Sequence, residues 1–166
     1  MPFLTRRRLI FLIEVVLIIA VYIAAKAYSE RNLVTGTAPA INAITLAGKP
    51  VVLSEYQDKP VLVHFWASWC PVCELEQNTI QAISKDQPVI TIAMQSGNEL
   101  DVAAHMKEHK LDFPTIVDEH GVLAKQFGVR GVPTSFILSP GGKITFSEIG
   151  YTTEIGLRIR LWLAGD

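Results

Sequence analysis

The chain has 166 residues, 49% of them apolar, and a formal net charge of −1 at pH 7. That length holds one globular domain and an extension. Beyond Glu14, three clustered arginines and Lys26, residues 28–166 carry 15 acidic against 11 basic side chains, so no basic footprint for nucleic acid is present.

The apolar excess lies at the front. Arg6, Arg7 and Arg8 precede a 17-residue stretch, 9–25, that is apolar except for Glu14. This is the short edge of what crosses a hydrocarbon core. Only Lys26 follows closely, so the positive-inside bias keeps residues 1–8 as a cytoplasmic basic tail and makes 9–27 a transmembrane signal-anchor. A cleaved signal peptide, with Ala25-Lys26-Ala27 as an imperfect small-x-small site, is the competing reading. A buried core helix is a third, and an all-round apolar surface beside arginines argues against it. Residues 28–40, with Asn32, Thr35, Gly36, Thr37 and Pro39, lack an apolar period and are expected to be a linker. The domain is then 41–166.

Within it, residues 41–46 and 51–53 are expected as short strands of a hairpin around Ala47-Gly48-Lys49-Pro50, with a helical turn at 54–56. Residues 61–66 form an apolar, β-branched run that suits one buried strand. A helix is expected over 71–84, with Leu75, Thr79, Ile80 and Ile83 inward and Glu74, Glu76 and Gln77 solvated. A strand follows at 89–94, then a helix within 96–110 with Leu100, Ala103, Ala104 and Met106 inward. Pro114 introduces a strand at 115–117, and a short helix at 121–127 stops at Gly128. Residues 134–138 and 143–148 make a hairpin around Pro140-Gly141-Gly142. A terminal helix, 152–163, is expected to pack through Ile155, Ile159 and Trp162 or Leu163. This order predicts an α/β domain with a mixed sheet flanked by helices. No internal repeat is visible.

Chemistry concentrates at Cys70-Pro71-Val72-Cys73. Pro71 suits a first helical position, because its missing N–H has no intrahelical partner there. Cys70 then stands at a helix mouth, where free N–H groups and the positive dipole end favour a thiolate. Cys73 lies about one turn on and can close a disulfide with it. A zinc site would need about four ligands, and no second cysteine pair exists. The four histidines, His64, His105, His109 and His120, give no compact ligand tail after the pair, and His105 and His109, four apart on a helix, read as surface residues. An inert structural disulfide is the other alternative; a two-residue spacer after a buried strand favours a redox pair. No metal and no cofactor is expected. A second feature is Val129-Arg-Gly-Val-Pro133-Thr, where a proline before an extended run belongs at a strand start.

The segment Phe65-Trp-Ala-Ser-Trp-Cys-Pro-Val-Cys73, with Gly131-Val-Pro-Thr134 downstream, resembles the thioredoxin superfamily. The anchor and the strand pair before the central strand make it similar to membrane-anchored extracytoplasmic TlpA-like proteins and cytochrome c maturation reductases. The Val-His-Phe-Trp and Cys-Pro-Val-Cys wording leans toward the thioredoxin-like member of the copper-sensitivity suppressor system. The resemblance covers about three quarters of the chain. It implies a thioredoxin-like fold with an N-terminal β-hairpin and a single transmembrane helix, in a bacterial inner membrane with the catalytic domain periplasmic.

Carried onto this sequence, the resemblance implies that Cys70 is the nucleophile and Cys73 the buried resolving thiol. Pro133 is then a cis proline facing the pair, with Val132 presenting free backbone groups to a substrate strand. Trp69 flanks the exposed sulfur and Trp66 packs behind the motif. Two departures leave the direction of electron flow open. His64 stands where thioredoxin usually has a buried aspartate, and it is either merely packed or a tuner of Cys73 deprotonation. Pro71-Val72 replaces thioredoxin's Gly-Pro. The expected partners are disulfide-bearing proteins and a transmembrane electron donor, with reduction favoured over oxidation, isomerisation or a non-catalytic binding role.

Overall fold

A computed structural model describes residues 3–56 and 58–165 of the chain. Met1 and Pro2 of the expected basic tail, Gln57, and Asp166 at the end of the expected domain lie outside the described residues. The chain divides into two compact units, 1–32 and 33–166.

The first unit is one helix, α1 (Phe3–Glu30). Its 25 residues from Arg6 to Glu30 contain an 18-residue window of mean hydropathy 2.6, so it is long and apolar enough to cross a membrane by length and composition. The first element among the described residues is therefore a helix and not a β-hairpin, which corrects the expected N-terminal hairpin. The two-stranded ribbon of β2 (Asn42–Ile44) and β3 (Pro50–Val52) comes later, within the second unit.

The expected linker is also shorter than 28–40. Leu33 is already buried, Val34 N–H donates to the Phe127 carbonyl at 3.1 Å, and β1 (Gly36–Thr37) pairs with Ile144 and Lys143. Two residues of strand carry no period, so composition alone reads them as loop.

The main sheet contains β4 (Val61–Trp66), β5 (Val89–Met94), β6 (Thr115–Asp118), β7 (Thr134–Leu138) and β8 (Lys143–Ile149) in the order β1-β8-β7-β4-β5-β6. β4, β5 and β6 run parallel; β7 lies antiparallel to β4, and β8 antiparallel to β7. Strands 4, 5 and 7 are buried along their whole length, as expected for a sheet covered on both faces. Alternation along β4 sends Val61, Val63 and Phe65 into one core and Leu62 and Trp66 into the other. In the first core Phe65, Phe127 and Phe136 pack mutually, with ring centroids 5.2–5.9 Å apart.

The second core is closed by α2 (Pro71–Ile83), α3 (Glu99–Glu108) and α5 (Glu154–Gly165). The short α4 (Val122–Gln126) is held by Asp118, whose carboxylate accepts the N–H groups of Val122, Leu123 and Ala124 at 2.7–3.2 Å. Asn98 and Asp101 form a reciprocal capping box at the start of α3.

The expected inward faces hold in part on α2 and α3, where Ile80, Ile83 and Met106 are buried as expected, and fail on α5. On α2 the inward stripe is Cys73, Glu76, Ile80 and Ile83, while Leu75 is 72% exposed. On α3 Val102 and Met106 are buried and Leu100 is exposed. On α5 Leu157, Leu161 and Ala164 pack down, and Ile155, Ile159, Trp162 and Leu163 face out. Each helix carries apolar residues on two faces, so the period alone supports two rotations.

Candidate active site

The site is built where β4 ends and α2 begins. The loop is fixed from behind: Cys70 N–H donates to the Ala67 carbonyl at 3.2 Å, and Ser68 N–H to Ser96 Oγ at 3.0 Å. Cys70 is the N-cap of α2 in extended conformation, and Pro71 and Val72 are exposed in its first turn. The Cys73 N–H donates to Cys70 Sγ at 3.3 Å, so the sulfur occupies the position of an N-cap oxygen. Both cysteines are free thiols and largely buried.

The loop before β7 supplies the opposite wall. The Val132–Pro133 peptide is cis, Pro133 is buried, and Thr134 Oγ1 steadies the turn by donating to the Gly131 carbonyl at 2.7 Å. The Cys70 thiol donates to the Val132 carbonyl at 3.4 Å. The two stretches singled out in the sequence, 70–73 and 131–134, are thus adjacent in space.

Trp69 is 59% exposed beside the sulfur, its indole N–H donating to the Gln95 carbonyl at 2.9 Å. Trp66 is buried behind the motif, its N–H donating to Thr91 Oγ1 at 3.2 Å and its ring meeting Phe113 edge-on at 6.0 Å. His64 is buried in the middle of β4, with Nδ1 2.9 Å from Ser135 Oγ on the adjacent β7. Burial pushes the imidazole down to about 3, so His64 is neutral.

One site residue escaped the sequence reading. Glu76, expected to be solvated, is 0% exposed and sits one turn below Cys73. Its Oε1 accepts the Thr152 N–H at 3.1 Å, and its Oε2 has no partner among the described residues. Burial pushes the carboxyl up to about 7, against a smaller downward pull from Thr152. Cys73 is pushed far above the usual thiol range, first by burial, then by its contact with Cys70 and by the nearby Glu76 charge. The available signal was the three-residue step from Cys73 to Glu76, one turn of helix. An acidic residue is rarely placed inward by pattern.

His105 on α3 and His109 at its C-cap have tilted rings with centroids 4.4 Å apart, and His105 lies 5.4 Å from the Trp66 ring, so both are half-buried and not free on the surface. Among the described residues no cluster of three or more His, Cys, Asp or Glu side chains is arranged to hold a metal ion.

A mixed sheet with helices on both faces, a cysteine pair at a helix mouth and a cis proline opposite define the class: a thioredoxin fold carrying a redox centre. The chain belongs to the Redoxin family, which matches residues 33–156. It is 30% identical over 160 residues to thiol-disulfide oxidoreductase ResA of Bacillus cereus, covering 90% of this chain and 92% of that protein. Sporulation thiol-disulfide oxidoreductase A of Bacillus subtilis is 30% identical over 166 residues, 93% and 96% of the two chains. A thioredoxin-like protein of Haemophilus influenzae is 34% identical over 109 residues, and the match spans 65% of either chain. The crystal structure of StoA from Bacillus subtilis aligns with a TM-score of 0.63 at 29% identity, covering 73% of this chain and 95% of that one. The exposed lipoprotein thioredoxin Etrx1 of Streptococcus pneumoniae aligns with a TM-score of 0.65 at 26% identity, covering 75% and 99%.

Proposed function

We propose that this protein is a membrane-anchored, extracytoplasmic thiol–disulfide oxidoreductase that reduces disulfides in other proteins. The observation that carries the reading is the seat of Cys70 Sγ, which accepts the Cys73 N–H and faces the Val132 carbonyl. A helix-mouth N–H aimed at sulfur stabilises a thiolate, and the cis-proline edge offers a substrate strand a place beside it.

In this mechanism Cys70 thiolate attacks one sulfur of the substrate disulfide. A Cys70–substrate disulfide forms, and the other substrate sulfur leaves as a thiolate that takes up a proton. Cys73, having given up its proton, attacks Cys70 Sγ and releases the second substrate thiolate. The substrate gains two electrons and the pair ends as the Cys70–Cys73 disulfide. Because Cys73 holds its proton tightly, the second step needs a base, and Glu76, perturbed to about 7 within Coulombic reach of Cys73, is placed for that role.

The names of the ResA and sporulation relatives support thiol–disulfide chemistry in general. They favour that branch over the copper-sensitivity branch suggested by the Cys-Pro-Val-Cys wording.

The anchor reading rests on α1 and on Arg6, Arg7 and Arg8 in its N-terminal turns, which favour a cytoplasmic N-terminus and a domain outside. Outside the cytoplasm the oxidised pair needs a partner to reset it, and a transmembrane dithiol donor fits that need. The test is Cys73→Ala in the full chain. It should accumulate Cys70-linked mixed disulfides with other proteins, released by reductant and absent in Cys70→Ala. No Cys70-dependent adduct would contradict the reading.

A further inference from the structure

The segment joining β8 to α5 is tied at two points that flank one exposed aromatic side chain. Upstream, Gly150 N–H donates to the Pro133 carbonyl at 2.8 Å. Gly150 does so at φ 88, a conformation that favours glycine. Downstream, Thr152 N–H donates to Glu76 Oε1 at 3.1 Å. Between the two ties stands Tyr151, 54% exposed.

The downstream tie is costly. Glu76 lies fully inside, in the stripe that Ile80 and Ile83 continue, and its Oε2 is left without a partner among the described residues. Packing alone would be served better by an aliphatic residue. Helix α5 does not need the tie as a cap, because Thr153 Oγ1 already accepts the Gly156 N–H at 3.2 Å. What the carboxyl does hold is the backbone one residue beyond Tyr151, while the cis-proline carbonyl holds the residue before it.

We propose that Glu76 is a positioning residue whose carboxyl oxygen fixes Gly150 to Thr152 against Pro133, so that Tyr151 forms one wall of the docking rim and the site selects extended polypeptide disulfides over small ones. This rests on the reading of 132–133 as the edge that receives substrate. The tyrosine ring gives an apolar surface with a polar tip, which suits a substrate strand carrying an apolar side chain beside its half-cystine. It offers little to a small disulfide that touches only sulfur.

The test compares Glu76→Gln with Glu76→Leu in the detergent-solubilised full chain. Both remove the charge near Cys73, so any effect on the chemical step is common to both; only Gln keeps an acceptor for Thr152. The readouts are amide exchange at Gly150 and Thr152, KM for a disulfide-linked decapeptide pair, and the rate with a small aromatic disulfide. Glu76→Gln should keep amide protection, whereas Glu76→Leu loses protection at both amides and has a KM about tenfold above that of Glu76→Gln. The small disulfide should react at the same rate in both variants. Tyr151→Ala should raise KM as Glu76→Leu does, and the double variant should raise it no further. Should Leu not fold, Glu76→Met serves, being apolar and of similar length. Equal KM values in the Gln and Leu variants, or unchanged Gly150 protection, would overturn the proposal. Wild-type protein that reduces neither substrate would instead overturn the underlying function, while the exchange data still decide whether Glu76 holds the segment.

Discussion

Cys70 Sγ lies 3.4 Å from the carbonyl oxygen of Val132, 62 residues further along the chain. Antiparallel pairing of β7 with β4, in the register Phe65 to Thr134, makes that contact, since it returns the start of β7 to the end of β4. The cysteine pair therefore has a polar backbone edge beside it as a property of sheet topology.

The two thiols should differ in reactivity. Cys73 is held protonated by burial and its neighbours, so it should resist alkylation by iodoacetamide at pH 8 while Cys70 is modified. Mass spectrometry of peptides from the reduced, alkylated protein reads this directly. Equal labelling of both sulfurs would contradict the assignment of Cys73 as the shielded partner.

Stability should carry two opposed pH dependences. His64 has its folded-state pKa lowered from 6.5 to about 3, so between those values the unfolded chain binds more protons and stability falls as pH drops. Glu76 has its folded-state pKa raised from 4.5 to about 7, so in that window the folded chain holds the extra proton and stability falls as pH rises. Between 4.5 and 6.5 the two slopes cancel. Relative to wild type, Glu76→Gln should expose a loss of up to about 1.4 kcal/mol per pH unit toward acid, and His64→Asn a comparable loss toward neutral pH. Urea denaturation across pH 4.5 to 7 measures both, and parallel profiles for all three proteins would refute it.

The observed phase of α5 predicts unequal costs for similar truncations. Leu161, 2% exposed, should lose about 2–5 kcal/mol on substitution by alanine, whereas Ile159, on the outer face, should lose no more than about 0.5 kcal/mol. Urea midpoints at constant slope distinguish them. The reverse ranking would restore the rotation that Ile155, Ile159 and Trp162 first suggest.

Membrane attachment is tested by fractionation. The full chain should stay with membranes through alkaline carbonate extraction, and a chain beginning at Arg31 should not. Recovery of the full chain in the soluble fraction would contradict the anchor.

Much of this was legible in the residues, for identifiable reasons. Strands 89–94 and 134–138 were bounded correctly because β-branched runs end abruptly at Pro88, Pro133 and polar turns. The juxtaposition of 70–73 with Pro133 followed from resemblance, since no local rule brings together residues so far apart in the chain. The inward faces were legible at Ile80, Ile83 and Met106, but not at Leu75, Leu100 and Ile155, which are exposed though as apolar as the residues that are buried. Glu76 was hidden by its charge: pattern reading sends a carboxylate outward, and only the packed structure shows why this one stays in. Gly36–Thr37 was too short a strand to declare itself.

The most direct test of the central claim is the redox state of Cys70 and Cys73 in intact cells, read by acid quenching and thiol-specific mass tagging of the full chain. A reductase supplied with electrons should be found mostly as the dithiol, both sulfurs tagged. A pair found mostly as the disulfide, in cells whose dithiol donors are present, would contradict it and assign the centre to thiol oxidation.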